Sequence, residues 1–287
     1  MTGRNRLLVT LAVATVVATA CADDSATGPA PAQPESSTTQ TSPPPIVTTG
    51  GPTTTEDPPV TPTLPPESPD STAAPLPTTM APPLLGPFEI VTADGLILEA
   101  ERFGTGDVFV VLAHMRPANM SSWFSLAGLL GGEGYSSITF NFRGYGNSEG
   151  AGFAVDVDVV AAVDAAFELG AREVFVIGAS MGGTGAMAAA AQRDVAGVIT
   201  LSAPVEFMGV DAEAAAQVQS GMLLIAAEGD SPYNAHAVAL GANAAGSAVV
   251  SILPGRNHGT DVFLDNSEAL TEAILLFLDN QVAAREP

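Results

Sequence analysis

Gly178-Ala179-Ser180-Met181-Gly182-Gly183 sets a serine between two glycines in the spacing G-x-S-x-G. The β-branched and aromatic run Val174-Phe175-Val176-Ile177 precedes it, and an alanine-rich stretch follows. Strand, sharp turn and helix in that order present a serine hydroxyl at the tip of a strained turn. Glycine at 178 and 182 leaves no side chain where strand and helix cross closely. The helix N-terminus beside the hydroxyl favours negative charge there. The chemistry this suits is nucleophilic attack on a carbonyl. The bland alternative is a glycine-rich turn with an incidental serine, and the flanking strand and helix patterns argue against it.

A serine nucleophile needs a base. The protein has three histidines. His236 falls inside a predicted helix, where a solvated face is the simpler reading, and His114 ends a predicted strand. His258, in Pro254-Gly255-Arg256-Asn257-His258-Gly259, lies on a loop after the last predicted strand, and it is the candidate base. A carboxylate must then fix the imidazole tautomer and stabilise the imidazolium. Asp230 follows a predicted strand and falls between serine and histidine in chain order, as the order Ser…Asp…His requires. Glu228 and Glu206 stay open as alternatives.

The elements that must position these residues alternate. Phe88–Ala93 and Leu96–Phe103 flank Asp94-Gly95, a hairpin signal. Val108–Ala113 is continuously apolar, as a strand covered on both faces would be. Ser137–Phe142, Val174–Ile177, Val198–Leu201, Met222–Ala226 and Ala248–Leu253 repeat that theme. Helices are expected at 121–131, 155–169, 181–192, 211–219, 233–245 and 266–284. A hairpin followed by alternating strands and helices predicts an α/β fold, a mostly parallel eight-stranded sheet with helices on both faces.

On these motifs, residues 88–287 resemble a small α/β-hydrolase of the dienelactone-hydrolase and serine-aminopeptidase-like groups. Asn141-Phe142-Arg143-Gly144-Tyr145-Gly146-Asn147-Ser148 is similar to the [DN]-x-R-G-x-G-x-S segment of that family, with Asp156 at the following helix. The resemblance implies a structural and lining role for this segment. It also implies an oxyanion hole of backbone N–H groups. Elbow geometry gives Met181 as one donor, and the resemblance gives Met115 or Arg116 as the other. The family usually has His-Gly where this chain has His114-Met115-Arg116-Pro117, so a different backbone path is expected there. About twenty residues separate the strands ending at Leu201 and starting at Met222, which leaves no room for a cap domain. An open site is expected, with specificity from loops such as 115–124; Trp123, Phe124, Phe153 and Phe207 are candidate apolar lining, and ordinary core is the simpler reading of each.

The implied activity is serine hydrolysis of a carboxylic ester of a small or medium substrate through an acyl-enzyme. No metal or organic cofactor is implied. A peptidase or amidase of the same fold, and a non-catalytic surface binding module, are the competing readings.

Composition bounds the partners. The chain has 31 acids, nine arginines and no lysine, a formal −22. Residues 88–287 hold 24 acids against seven arginines, a formal −17. That excludes a basic nucleic-acid footprint and disfavours anionic substrates and anionic lipid surfaces. A single cysteine excludes an internal disulfide and a cysteine-based zinc site.

Residues 1–20 read as a signal peptide: Arg4 and Arg6, then an apolar run from Leu7 to Ala20 too short to span a bilayer. The lone Cys21 follows at once, and Ala18-Thr19-Ala20-Cys21 resembles the lipobox of bacterial lipoproteins. The resemblance implies lipidation of Cys21 and outward display on the cell membrane, with plain secretion as the alternative. Residues 21–87 then form a tether, with 18 of the 23 prolines, 14 threonines and no base among 22–87. Such a segment cannot bury enough apolar surface to offset its ordering entropy.

Overall fold

The computed structural model describes residues 84–286, so the expected signal peptide, Cys21 and most of the expected tether lie outside the described residues. Six strands come first: β1 (Leu84–Val91), β2 (Ile97–Phe103), β3 (Val108–Ala113), β4 (Ser136–Phe140), β5 (Glu173–Ala179) and β6 (Gly197–Leu201). A short ribbon, β7 (Glu206–Phe207) and β8 (Val210–Asp211), precedes β9 (Gly221–Ala227) and β10 (Ala248–Leu253). The eight longer strands make one sheet in the order β1-β2-β4-β3-β5-β6-β9-β10. Only the pairings of β2 with β1 and β4 are antiparallel. The expected mostly parallel eight-stranded sheet is therefore present.

Six helices accompany it: α1 (Phe124–Gly132), α2 (Val155–Glu168), α3 (Met181–Ala190), α4 (Ala212–Ala215), α5 (Tyr233–Ala242) and α6 (Val262–Arg285). Period-two alternation in the central strands divides the core. Phe109, Val111, Val174, Val176, Met222 and Leu224 pack with α2, α3 and α5. Val110, Leu112, Phe175, Ile177, Leu223 and Ile225 face the other way and pack with α1 and α6. Burial on both faces explains why β3, β5 and β9 read as unbroken apolar runs.

Several boundaries differ from expectation. The first strand starts at Leu84, four residues before the expected domain boundary. The hairpin turn is longer than two residues: Thr92 N–H donates to Leu96 O, and Leu96 N–H donates to Thr92 Oγ1. Threonine thus closes a wider loop, with Gly95 at φ +84°. The helix expected at 211–219 shrinks to the single turn α4, preceded by the ribbon β7–β8 and followed by turns at 216–220. The last helix starts at Val262, and Asn266 interrupts it with non-helical φ −132°, ψ 26°, which is why the periodicity only becomes regular beyond that point.

The [DN]-x-R-G-x-G-x-S segment has its structural role in charge pairing. The Arg143 guanidinium grips buried Asp158 at 2.7 and 3.0 Å and Asp94 of the hairpin turn at 2.8 Å. It therefore ties the antiparallel end of the sheet to α2. The helix after this segment begins at Val155 with Asp156 in its first turn, as expected, and Asp158 two residues on is the carboxylate that Arg143 meets. The hydrogen bonds from Arg143 and Thr92 hold the Asp94 carboxyl at about 2, below its ordinary 3.8. The far end closes on itself as well: Arg285 of α6 bonds Asp194, just before β6, at 3.2 Å.

Removing one partner of a buried pair leaves the other charge uncompensated. Asp158→Ala is expected to lower unfolding stability by about 3 kcal/mol. Urea unfolding at neutral pH checks this, and Asp156→Ala at the half-exposed neighbour serves as the near-neutral control.

Candidate active site

β5 runs into α3 with one residue between them, and that residue is Ser180. Its φ of 49° and ψ of −119° lie outside the regions that L-residues favour. Packing enforces this. A Cβ on Gly178 would strike the backbone of Gly182 and Gly183, and one on Gly182 would strike the carbonyls of Ala113 and His114. The first turn of α3 is thereby pressed against the ends of β5 and β3. Ser180 N–H donates to Leu201 O at 2.8 Å, which fixes the turn to β6 as well. The result is a half-buried hydroxyl at the C-terminal edge of the sheet's middle strand. Met181 follows as the first helical residue, where a backbone N–H has no acceptor one turn earlier.

His258 and Asp230 meet. Nδ1 of His258 lies 3.0 and 3.1 Å from the two Asp230 carboxylate oxygens. Asp230 is buried and stands just past β9, whereas the imidazole is about 30% exposed. The two other acids considered are elsewhere: Glu228 and Glu206 are exposed, and Glu206 accepts from Gly209 N–H.

The His258 loop is pinned beside the serine through its neighbour. Gly259 N–H donates to Ser202 Oγ at 3.0 Å. A Cβ on Gly259 would lie 3.5 Å from Ala179 Cβ and would collide with Met115 Sδ. Gly259, at φ +58°, thus touches the residue before Ser180 on one side and the 114–116 loop on the other. Ser180 Oγ and the His258 ring make no hydrogen bond with each other in this structure.

Ser202 is a contributor that sequence reasoning missed. It sits at φ 58° just past β6, fully buried, with its hydroxyl turned to the His258 loop. Nothing in Leu201-Ser202-Ala203-Pro204 marks it as special, since the signal is conformational.

His114 is structural, and both ring nitrogens are committed. Phe142 N–H donates to Nε2 at 3.2 Å, which leaves Nδ1 as the protonated nitrogen donating to Met115 O at 2.8 Å. Phe142 and Tyr145 stack edge-on against the ring at 4.9 and 4.8 Å. This clamp sets the path of the 114–116 loop directly beside α3. Met115 has no positive φ, so methionine fits where glycine is usual without left-handed strain. Its side chain is buried and packs on the Gly259 turn.

The lining residues divide. Phe153 and Phe207 pack on each other at 5.3 Å, half-buried, with the Arg116 guanidinium 5.7 Å above the Phe153 ring. Trp123 is fully buried, and Phe124 packs on Phe103. Those two are core, because the expected loop of 115–124 becomes a capped 3₁₀ turn at Met120–Trp123 that points the indole inward. His236 is not on a solvated face either: it packs edge-on against Tyr233 at 5.6 Å. Among the described residues no group of three or more His, Cys, Asp or Glu is placed to hold a metal ion.

A family profile described as alpha/beta hydrolase fold matches residues 108–237. No curated protein shows significant similarity. Solved structures do. An esterase from Pyrococcus furiosus is 16% identical with a TM-score of 0.61, over 75% of this chain and 96% of that one. An alpha-beta serine hydrolase homologue from Coxiella burnetii is 20% identical with a TM-score of 0.59, over 68% and 98%. An esterase from Exiguobacterium antarcticum is 18% identical with a TM-score of 0.58, over 68% and 100%. The chain has the α/β-hydrolase fold.

Burial lowers the His114 pKa from 6.5 to about 4. Between those values the unfolded chain binds a proton that the native state refuses, so stability falls as pH drops through that window and levels off below it. His114→Gln is expected to remove this component. Urea unfolding at pH 7, 5.5 and 4.5 should show a steeper loss in the wild type than in the variant.

Proposed function

We propose that this α/β-hydrolase fold serves as an exported serine hydrolase that cleaves a carboxylic ester of a small or medium substrate. The observation that carries the reading is Ser180 held at φ 49° between a buried strand and a buried helix. Such strain persists only where the surrounding packing over-determines it, and a serine so placed is exposed to an incoming carbonyl. The His258–Asp230 pair on the adjoining loops supplies the base and its orienting group.

In this mechanism Asp230 accepts from His258 Nδ1–H and leaves Nε2 free as base. Nε2 takes the Ser180 proton as Oγ bonds to the carbonyl carbon. The carbonyl π electrons move to oxygen, and the N–H groups of Met181 and of Met115 or Arg116 bind the oxyanion. Collapse expels the alcohol, which takes the proton from His258, and leaves an acyl group on Ser180. Water then attacks with His258 again as base, and the acid departs from regenerated serine. The 114–116 loop supports this role through its His114 clamp, and the Phe153–Phe207 pair offers apolar surface for an acyl or alcohol group.

Export belongs to the same proposal. It rests on the Arg4–Arg6 n-region, the apolar run and Cys21, with a proline- and threonine-rich tether to Leu84. In this reading a lipid on Cys21 attaches the protein to the membrane, and plain secretion is the alternative.

Ser180→Ala is expected to lower turnover of a p-nitrophenyl ester by on the order of 10⁶ with the fold intact. A fluorophosphonate probe should label Ser180 in the wild type and nothing in the variant, read by mass spectrometry. Unlabelled, folded wild-type protein would sink the esterase reading.

A further inference from the structure

The Asp230 carboxylate does not by itself fix the His258 ring. Both of its oxygens lie at nearly equal distance from Nδ1, 3.0 and 3.1 Å, so the bond restrains one atom and leaves the ring plane free to swing. The imidazole is also about 30% exposed, so water can compete for it. A second contact closes that freedom. The Tyr233 ring lies against the His258 ring with centroids 4.2 Å apart and planes tilted by 51°. Tyr233 opens α5, three residues after Asp230, so one short segment delivers both the carboxylate and the aromatic face. The Tyr233 ring is itself backed edge-on by His236 at 5.6 Å and 84°.

We propose that Tyr233 is a positioning residue for His258, an aromatic wall that sets the imidazole plane and favours the imidazolium formed during turnover. The inference rests on the proposed serine hydrolase reading. Two physical effects act together. A ring held on one face and at one nitrogen has less orientation to lose when Nε2 meets Ser180 Oγ at the reacting step. A tyrosine ring also attracts a nearby cation, and in the proposed step His258 becomes an imidazolium when it takes the serine proton. The second effect acts more on the transition state than on the resting enzyme, so it raises kcat rather than tightening substrate binding.

The hydroxyl has no part in this argument, so the ring alone must suffice. Tyr233→Phe is expected to keep wild-type kcat and KM on a p-nitrophenyl ester. Tyr233→Leu keeps apolar bulk but loses the ring, and its kcat is expected to fall roughly five- to tenfold with KM within about twofold. A readout independent of turnover accompanies this. With ¹⁵N-labelled histidine, the low-field His258 Nδ1 proton should be resolved in the wild type and Tyr233→Phe, and should broaden by exchange in Tyr233→Leu.

Equal kcat in Tyr233→Leu and wild type would overturn the proposal, as would a rise in KM alone, which would make Tyr233 a substrate contact. Loss of kcat in Tyr233→Phe and Tyr233→Leu alike would move the effect to the hydroxyl and overturn it too. If Tyr233→Leu melts well below the wild type, Tyr233→Met replaces it in the same measurements. An inactive wild type with a sharp Nδ1 proton that broadens in the leucine variant would count against ester hydrolysis while leaving the positioning role standing.

Discussion

The close crossing of α3 with the ends of β5 and β3 governs the rest of this molecule. Carbonyls of Ala113, His114 and Gly182 occupy the space that side chains at 182 and 178 would need. Two missing side chains bring a helix N-terminus, a strained serine and the 114–116 loop into one small volume. Everything else at the site is arranged around that contact. Ser202 holds the His258 loop beside it, and His114 fixes the loop opposite. The strain at Ser180 is sustained by burial: every residue of α3 and of β5 is buried, so the turn cannot relax without opening the core on both faces of the sheet.

The placement of the charges follows a related logic. In a domain of formal −17, the buried Asp158 is compensated by a bidentate arginine that also reaches the hairpin turn. The same guanidinium therefore pairs with carboxylates from two distant stretches of chain. Among the described residues, buried Asp230 is paired with an imidazole rather than an arginine.

Much of this was legible in the residues, and for identifiable reasons. Unbroken apolar runs such as Val108–Ala113 announce strands buried on both faces, so the sheet could be read off directly. The G-x-S-x-G spacing and the order of Ser180, Asp230 and His258 are local and linear, and the structure brings the last two together. What escaped reading was whatever depends on conformation or on contacts across the fold. Ser202 matters because of its φ and the direction of its hydroxyl. Tyr233 matters because a loop turns it onto a ring 25 residues away. Trp123 could be lining or core on sequence alone, and the tight turn that the Asn119 cap starts makes it core.

The directions of the strands also fix how the domain can be held. β1 runs the same way as the parallel strands, and Leu84 pairs with Phe103, whose other neighbour, Ser137, lies near the start of β4. Chain entry is thus at the sheet edge where β3, β4 and β5 begin, and Ser180 stands at the edge where they end. The last helix returns to the entry side, with Arg285 on Asp194 just before β6. Both ends of the described chain therefore leave from one pole, and the candidate chemistry occupies the other. A surface, bead or fusion partner attached at either end would leave the reacting edge facing outward. With no lysine in the sequence, a chain beginning at Leu84 would offer amine chemistry its N-terminus alone, at the pole opposite Ser180.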